Sequence, residues 1–231
     1  MPDNYRLRAC IGNNEPMDVA TRNNVTRVGD ADGPTLVLAH GFGCDQQLWH
    51  PVAARLRDRF AKLVMITPSP RYIDDDGYRG GFTRLDIDEL LESLESNYLG
   101  WSQAMAPTIM GNPDRPELAD DLEATFCRTD PAAAKVFARA TFLSDNRADL
   151  ARVSVPTLIV DRRQDAIAPP EVGAYVRDHI PGAQLSTLDA TGHCPHVSAP
   201  DVLIDEIREL LVSFGSGVED DTAVLALGAP R

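Results

Sequence analysis

Apolar and polar positions divide the chain into short apolar runs separated by amphipathic or loop-like stretches. Residues 1–16 carry no pattern and read as a polar N-terminal extension. Residues 17–28 alternate weakly, as one or two edge strands would, and 29–34, rich in Gly, Asp and Pro, read as a turn. Residues 35–39 then form an unbroken apolar run, TLVLA. A strand covered on both faces needs apolar side chains at odd and even positions alike, so such a run predicts a strand of a parallel sheet. Residues 61–66 have the same character and are stopped by Thr67-Pro68-Ser69-Pro70. Two more strands are predicted over 155–160 and 184–188. Helical periodicity covers 46–59, where Asp45 can cap and Leu48, Val52 and Leu56 share a face, and also 171–179 and 200–214. From Thr83 to Leu143 the pattern is helical throughout, with breaks at Gly111-Asn112-Pro113 and Thr129-Asp130-Pro131; three or four helices and no strand are expected there.

Strands alternating with helices define an α/β chain: a mostly parallel sheet built from 17–82 and 144–214, interrupted by a helical insertion at 83–143. With strands 35–39 and 61–66 joined by one helix, the two are expected to be sheet neighbours. The last stretch, 215–231, is acidic and then apolar, and reads as a tail detached from the domain. Its Asp220-Asp221 and following apolar run are a little like the end of a PP2C-type phosphatase domain, whose carboxylates bind metal.

Composition narrows the partners. The 231 residues carry 22 Lys+Arg against 35 Asp+Glu, a formal net charge of −13. An acidic surface of that size disfavours duplex nucleic acid and anionic membranes, both negatively charged themselves. No apolar run approaches the ~18 residues of a membrane span, and 1–14 has no apolar stretch of the signal-peptide kind. Cys10, Cys44, Cys127 and Cys194 are scattered, neither a zinc knuckle nor a disulfide framework, so a reduced, cytoplasmic protein without metal or cofactor is expected.

Three constellations carry chemistry. His40-Gly41-Phe42-Gly43 directly follows an apolar strand, where a tight turn leaves backbone N–H groups above the strand's carboxyl end, able to stabilise an oxyanion. Asp165 lies in the loop after strand 155–160, and Gly192-His193 in the loop after strand 184–188. Loops at the carboxyl ends of parallel strands gather over one edge, so Asp165 and His193 can meet. An imidazole acting as general base needs such a carboxylate to fix its tautomer and stabilise the imidazolium. No G-x-S-x-G elbow is present to supply a nucleophile. Ser102, in Gly100-Trp101-Ser102-Gln103-Ala104, sits within a helical stretch; Ser69, between two prolines after a strand, lies at the correct end of the sheet and is the better stand-in. Cys194 adjoins His193 but reads as an inert thiol, and His50, His179 and His196 read as structural or solvated.

The chain resembles an α/β-hydrolase of the RsbQ type, the group that also contains the plant karrikin and strigolactone receptors. The matching stretches include Thr21-Arg22-Asn23-Asn24-Val25, His40-Gly41-Phe42-Gly43-Cys44-Asp45-Gln46, Pro68-Ser69-Pro70-Arg71-Tyr72, Gly80-Gly81-Phe82, Asn97-Tyr98-Leu99-Gly100-Trp101, Phe142-Leu143-Ser144-Asp145 and Gly192-His193-Cys194-Pro195-His196. The resemblance implies that Phe42 gives an oxyanion-hole N–H, Asp165 is the triad acid and His193 the triad base. Residues 83–143 would be a cap over an apolar pocket lined by Trp101, Phe126, Phe137 and Phe142. It also implies an internal deletion of roughly 60–80 residues, two central strands and the nucleophile elbow included. The functions expected are hydrolysis of an ester or lactone of a small apolar molecule, impaired by the missing serine, or non-catalytic regulation together with a PP2C-type phosphatase. A degenerate remnant is the third expectation.

Overall fold

The fold is that of a computed structural model, which describes residues 35–38, 63–213 and 222–226. Among these are five strands: β1 (Thr35–Leu38), β2 (Leu63–Ile66), β3 (Thr157–Gln164), β4 (Gln184–Thr191) and β5 (Thr222–Ala226). They form one sheet in the order β1-β5-β2-β3-β4, and every pairing is parallel. The α/β class and parallel sheet expected from the apolar runs are therefore present.

The centre of the sheet differs from expectation. β1 and β2 are not neighbours, because β5 lies between them, with Val37 opposite Val224 on one side and Leu63 opposite Val224 on the other. Residues 222–226, taken from the sequence as part of a detached tail, are thus a sheet strand. The run Ala223-Val224-Leu225-Ala226 has the continuous apolar character that an interior parallel strand requires, and it pairs with the facing edges of both neighbours. The extension 1–16, the weak strands in 17–28, the helix at 46–59 and Asp220-Asp221 lie outside the described residues.

β3 and β4 run further than their apolar runs suggested. Asp161 and Arg162 on β3 pair with Thr187 and Leu188 on β4, and an irregularity between Arg162 and Gln164 precedes the last pair, Gln164 with Thr191. β2 stops earlier, at Ile66 opposite Val160. The polar end of β3 therefore projects beyond β2 at the carboxyl edge, where side chains can serve a site.

Four helices fill the insertion: α1 (Arg84–Ser96), α2 (Tyr98–Met110), α3 (Pro116–Arg128) and α4 (Pro131–Phe142). Thr83 and Asp86 form a reciprocal capping box on α1. Asn97 ends α1, and its side chain accepts the Gly100 N–H at 3.0 Å to start α2, a break with no Gly-Pro signal. Gly111 closes α2 in the left-handed conformation at φ 60°. Asp130 accepts the Ala133 N–H at 2.8 Å to cap α4. The inward faces bury Leu91, Leu94, Met110, Leu122 and Phe126 in one apolar cluster.

Where the insertion rejoins the sheet, Asp145 accepts from Arg71 at 3.1 Å and from Arg147, which also reaches Asp75 at 2.9 Å. The bonds from Arg147 hold the Asp145 carboxyl down at about 2. Behind the sheet, α5 (Pro170–His179) sets Val172 and Val176 against Ile159 of β3. The short α6 (Pro195–Ser198) and α7 (Pro200–Ser213) follow β4, with Leu203, Ile204 and Ile207 of α7 buried. Among the described residues no helix is long and apolar enough to cross a membrane.

Candidate active site

Asp165 and His193, far apart in the chain, meet at the carboxyl edge of the sheet. Asp165 follows the last residue of β3, and its Oδ1 accepts the Ile167 N–H at 2.8 Å, which fixes the carboxylate plane. Its Oδ2 faces His193 Nδ1 at 2.8 Å and also accepts from Arg162. The Asp165 side chain is almost wholly buried. Burial alone would raise its pKa, but the charge and hydrogen bond of His193, joined by those of Arg162, outweigh it and hold the carboxyl below the usual carboxylate range. An ionised Asp165 can only accept, so Nδ1 carries the proton between the two groups, and Nε2 is the nitrogen left for proton transfer.

The histidine loop is held from three sides. The His193 N–H donates to the carbonyl of Ile109, in the last turn of α2, at 2.6 Å, and the Gly192 N–H donates to Gln164 at the end of β3 at 3.0 Å. The Thr67 hydroxyl, just past β2, donates to the His193 carbonyl at 3.2 Å. Asn112 adds a bond from its side-chain N–H to the Thr191 carbonyl at 3.0 Å. Gly192 has φ 89°, and a Cβ there would lie 1.7 Å from the Met110 carbonyl oxygen, so this approach of loop to helix admits glycine alone.

Thr67 has φ 48°, a left-handed conformation that a β-branched residue rarely adopts. Its N–H donates to the Val160 carbonyl at 2.7 Å.

The remaining residues singled out in the sequence are placed as follows. Phe42 and His50 lie outside the described residues. The Ser69 hydroxyl is buried and donates to the Arg71 carbonyl at 2.9 Å. Ser102 is fully buried within α2 and donates to the Leu99 carbonyl at 2.8 Å. Cys194 is buried in the cap cluster beside Ile167, and His196 is buried on α6. His179 stacks on Tyr175 with ring centroids 3.8 Å apart.

Trp101, Phe126 and Phe142 are buried, and they pack on rings: Trp101 edge-on to Phe126 at 5.3 Å, Phe142 edge-on to Tyr72 at 5.2 Å. Phe137 is half-buried on α4. Among the described residues no group of three or more His, Cys, Asp or Glu side chains gathers as a metal site would require.

Sequence reasoning missed Arg162, Thr67, Tyr72 and Asp161. Tyr72 is buried, and burial followed by the charge of Asp165 pushes its hydroxyl pKa up. Asp161 is buried with its carboxylate against Gly173 of α5, and burial pushes it up to about 6 against the lowering effect of Arg162. Three adjacent charges, Asp161-Arg162-Arg163, following an apolar run, with Arg162 three residues before Asp165, were the available signal.

The comparisons with known proteins agree with this architecture. Residues 61–206 match the alpha/beta hydrolase family, and the chain belongs to it. It is similar to a strigolactone esterase of Arabidopsis thaliana, 34% identical over 158 residues that cover 68% of this chain and 59% of that protein. It is likewise similar to the karrikin insensitive 2 receptor IA of Petunia hybrida, 34% identical over 148 residues covering 64% of this chain and 54% of that one. The chain thus spans little more than half the length of these curated relatives. Among solved structures, a hydrolase from Oleispira antarctica superposes with a TM-score of 0.77 at 30% identity, covering 84% of this chain and 96% of that one.

Proposed function

We propose that this chain is an ester- or lactone-handling hydrolase-fold protein for a small apolar substrate, with catalysis impaired by the absent elbow serine. The observation that carries the reading is the bond between Asp165 Oδ2 and His193 Nδ1 at 2.8 Å. That pair leaves the Nε2 lone pair to take a proton from an attacking water and then deliver it to the leaving alkoxide. By the family resemblance Phe42 would supply an oxyanion N–H, and the missing stretch would be an internal deletion. The test is hydrolysis of an activated aryl ester by the purified protein beside His193→Ala. Turnover that disappears in the variant supports the reading; equal rates in both, or none, overturn it.

A second reading is a non-catalytic, cytoplasmic regulator that holds a small apolar ligand and acts with a PP2C-type phosphatase. It is favoured by the hydroxyls of Ser69 and Ser102, both of which donate to backbone carbonyls elsewhere than His193. Phosphatase binding without ester turnover would support it. A molten, aggregating product would instead mark a remnant.

A further inference from the structure

Arg162 lies on β3 with its side chain wholly buried, 0% exposed. One of its terminal nitrogens, Nη2, donates to Asp165 Oδ2, the same oxygen that faces His193 Nδ1. Its Nε and Nη1 are buried and have no hydrogen-bond partner among the described residues. A guanidinium so poorly satisfied by hydrogen bonds is retained in the interior chiefly by the opposite charge beside it. Asp165 is therefore already half of an ion pair when His193 approaches it.

This differs from an isolated carboxylate–imidazole pair. There the whole carboxylate charge is available to stabilise the imidazolium that forms when Nε2 takes up a proton. Here a permanent cation shares the same oxygen, so protonating His193 would place two positive groups on one carboxylate oxygen. We propose that Arg162 is a positioning residue that locks Asp165 in place while compensating its charge, so that His193 binds a proton less tightly than an Asp–His pair without the guanidinium would.

Among the described residues, the other groups around the Asp165–His193 pair do not substitute for this effect. From the segment after β2 come the neutral hydroxyls of Thr67, bonded to the His193 carbonyl, and of Tyr72, which feels the charge of Asp165 and whose burial keeps it protonated. From α2 come the Ile109 and Met110 carbonyls, and from the loop itself the Cys194 thiol and the His196 ring. Asp161, the nearest further acid on β3, is turned toward Gly173 of α5, and Glu171 of α5 is paired with Arg79 on the surface.

The proposal deepens the reading of Asp165 and His193 as a working pair, yet its test needs no substrate. The His193 ring proton is followed by NMR through a pH titration in the wild type, Arg162→Gln, Arg162→Met and Arg162→Lys. The neutral Gln and Met variants are expected to raise the His193 midpoint by about one pH unit, a tenfold tighter hold on the proton. The Lys variant, which keeps the charge, is expected to stay near the wild type. Met replaces a buried charge with an apolar side chain of similar reach, a change that protein interiors often tolerate, and so guards against misfolding of the Gln variant. An unmoved midpoint in folded Gln or Met protein overturns the proposal. So does loss of folding in both while Lys folds normally, since Arg162 would then be purely structural. A wild type without esterase activity leaves the titration readable, so failure of the hydrolase reading and failure of this one are separate results.

Discussion

The two sides of the sheet are built differently. β3 and β4, with the loops that carry Asp165 and His193, come from one continuous stretch of chain, 157–193, and their end pairs extend past β2. β1, β5 and β2 are drawn from three distant segments, and the one between the other two is the last of the described strands. Contacts on the first side are local, whereas those on the second require the closure of long loops. The site's geometry therefore belongs to the part of the molecule whose own sequence specifies it, and the continuity of the sheet belongs to the part that depends on remote pairing.

Breaking the remote side should have the largest effect. Val224→Pro removes a ladder donor from a strand paired on both sides, which costs about 3 kcal/mol or more. The expected result is a large fall in the urea midpoint, and hydrogen exchange should show β1 and β2 losing protection ahead of β3 and β4. Equal loss across all strands would mean that the sheet is one cooperative unit and the contrast between its sides is false.

Next in size is a break on the local side. Gly192→Ala drives a Cβ against the Met110 carbonyl, and backbone cannot move aside as a flexible side chain can. A loss of about 2–3 kcal/mol is expected by thermal melting, and any ester hydrolysis should drop to the level of His193→Ala.

A subtler test uses acidity. Asp161 is pushed up to about 6 in the folded protein, against an unfolded value near 3.9. Between those values the unfolded chain has lost a proton that the folded one keeps, so this group makes stability fall as pH rises from about 4 to about 6. Asp161→Asn should remove that slope, giving a variant more stable than the wild type at pH 7 by on the order of 1–2 kcal/mol and no different near pH 3. Asp165 works in the opposite sense. Its depressed value contributes stability that is present above the ordinary carboxylate range and lost as pH falls through it.

The smallest expected effect is at Thr67. Thr67→Ser keeps the hydroxyl that bonds the His193 carbonyl and relieves a β-branched residue of φ 48°, so a gain of about 0.5–1 kcal/mol should appear in denaturation.

The same contrast explains what could be read from the sequence. Asp165 and His193 were legible because each follows an apolar strand whose carboxyl end had to share an edge with the other. The helix breaks at Gly111 and Thr129 were legible from local Gly and Pro chemistry, whereas the break at Asn97 was not, because a side-chain cap makes it and the apolar pattern runs straight through. β5 was missed because an apolar run announces that a segment will be covered but does not say by what. Asp161 and Arg162 looked like a loop because polarity normally ends a buried strand; here they pair with β4 around an interior ion pair. Helical spacing along the cap does not show which rings meet, so the packing of Trp101 on Phe126 and of Phe142 on Tyr72 was not legible.

Placing the last of the described strands inside the sheet, between β1 and β2, also sets an order of events during synthesis. As the chain leaves the ribosome, β1 and β2 are made well before β5, the strand with which both of them pair. Two apolar strand edges then stay open through the making of the cap, the β3–β4 unit and α7, the interval in which nascent chains most readily join one another edge to edge.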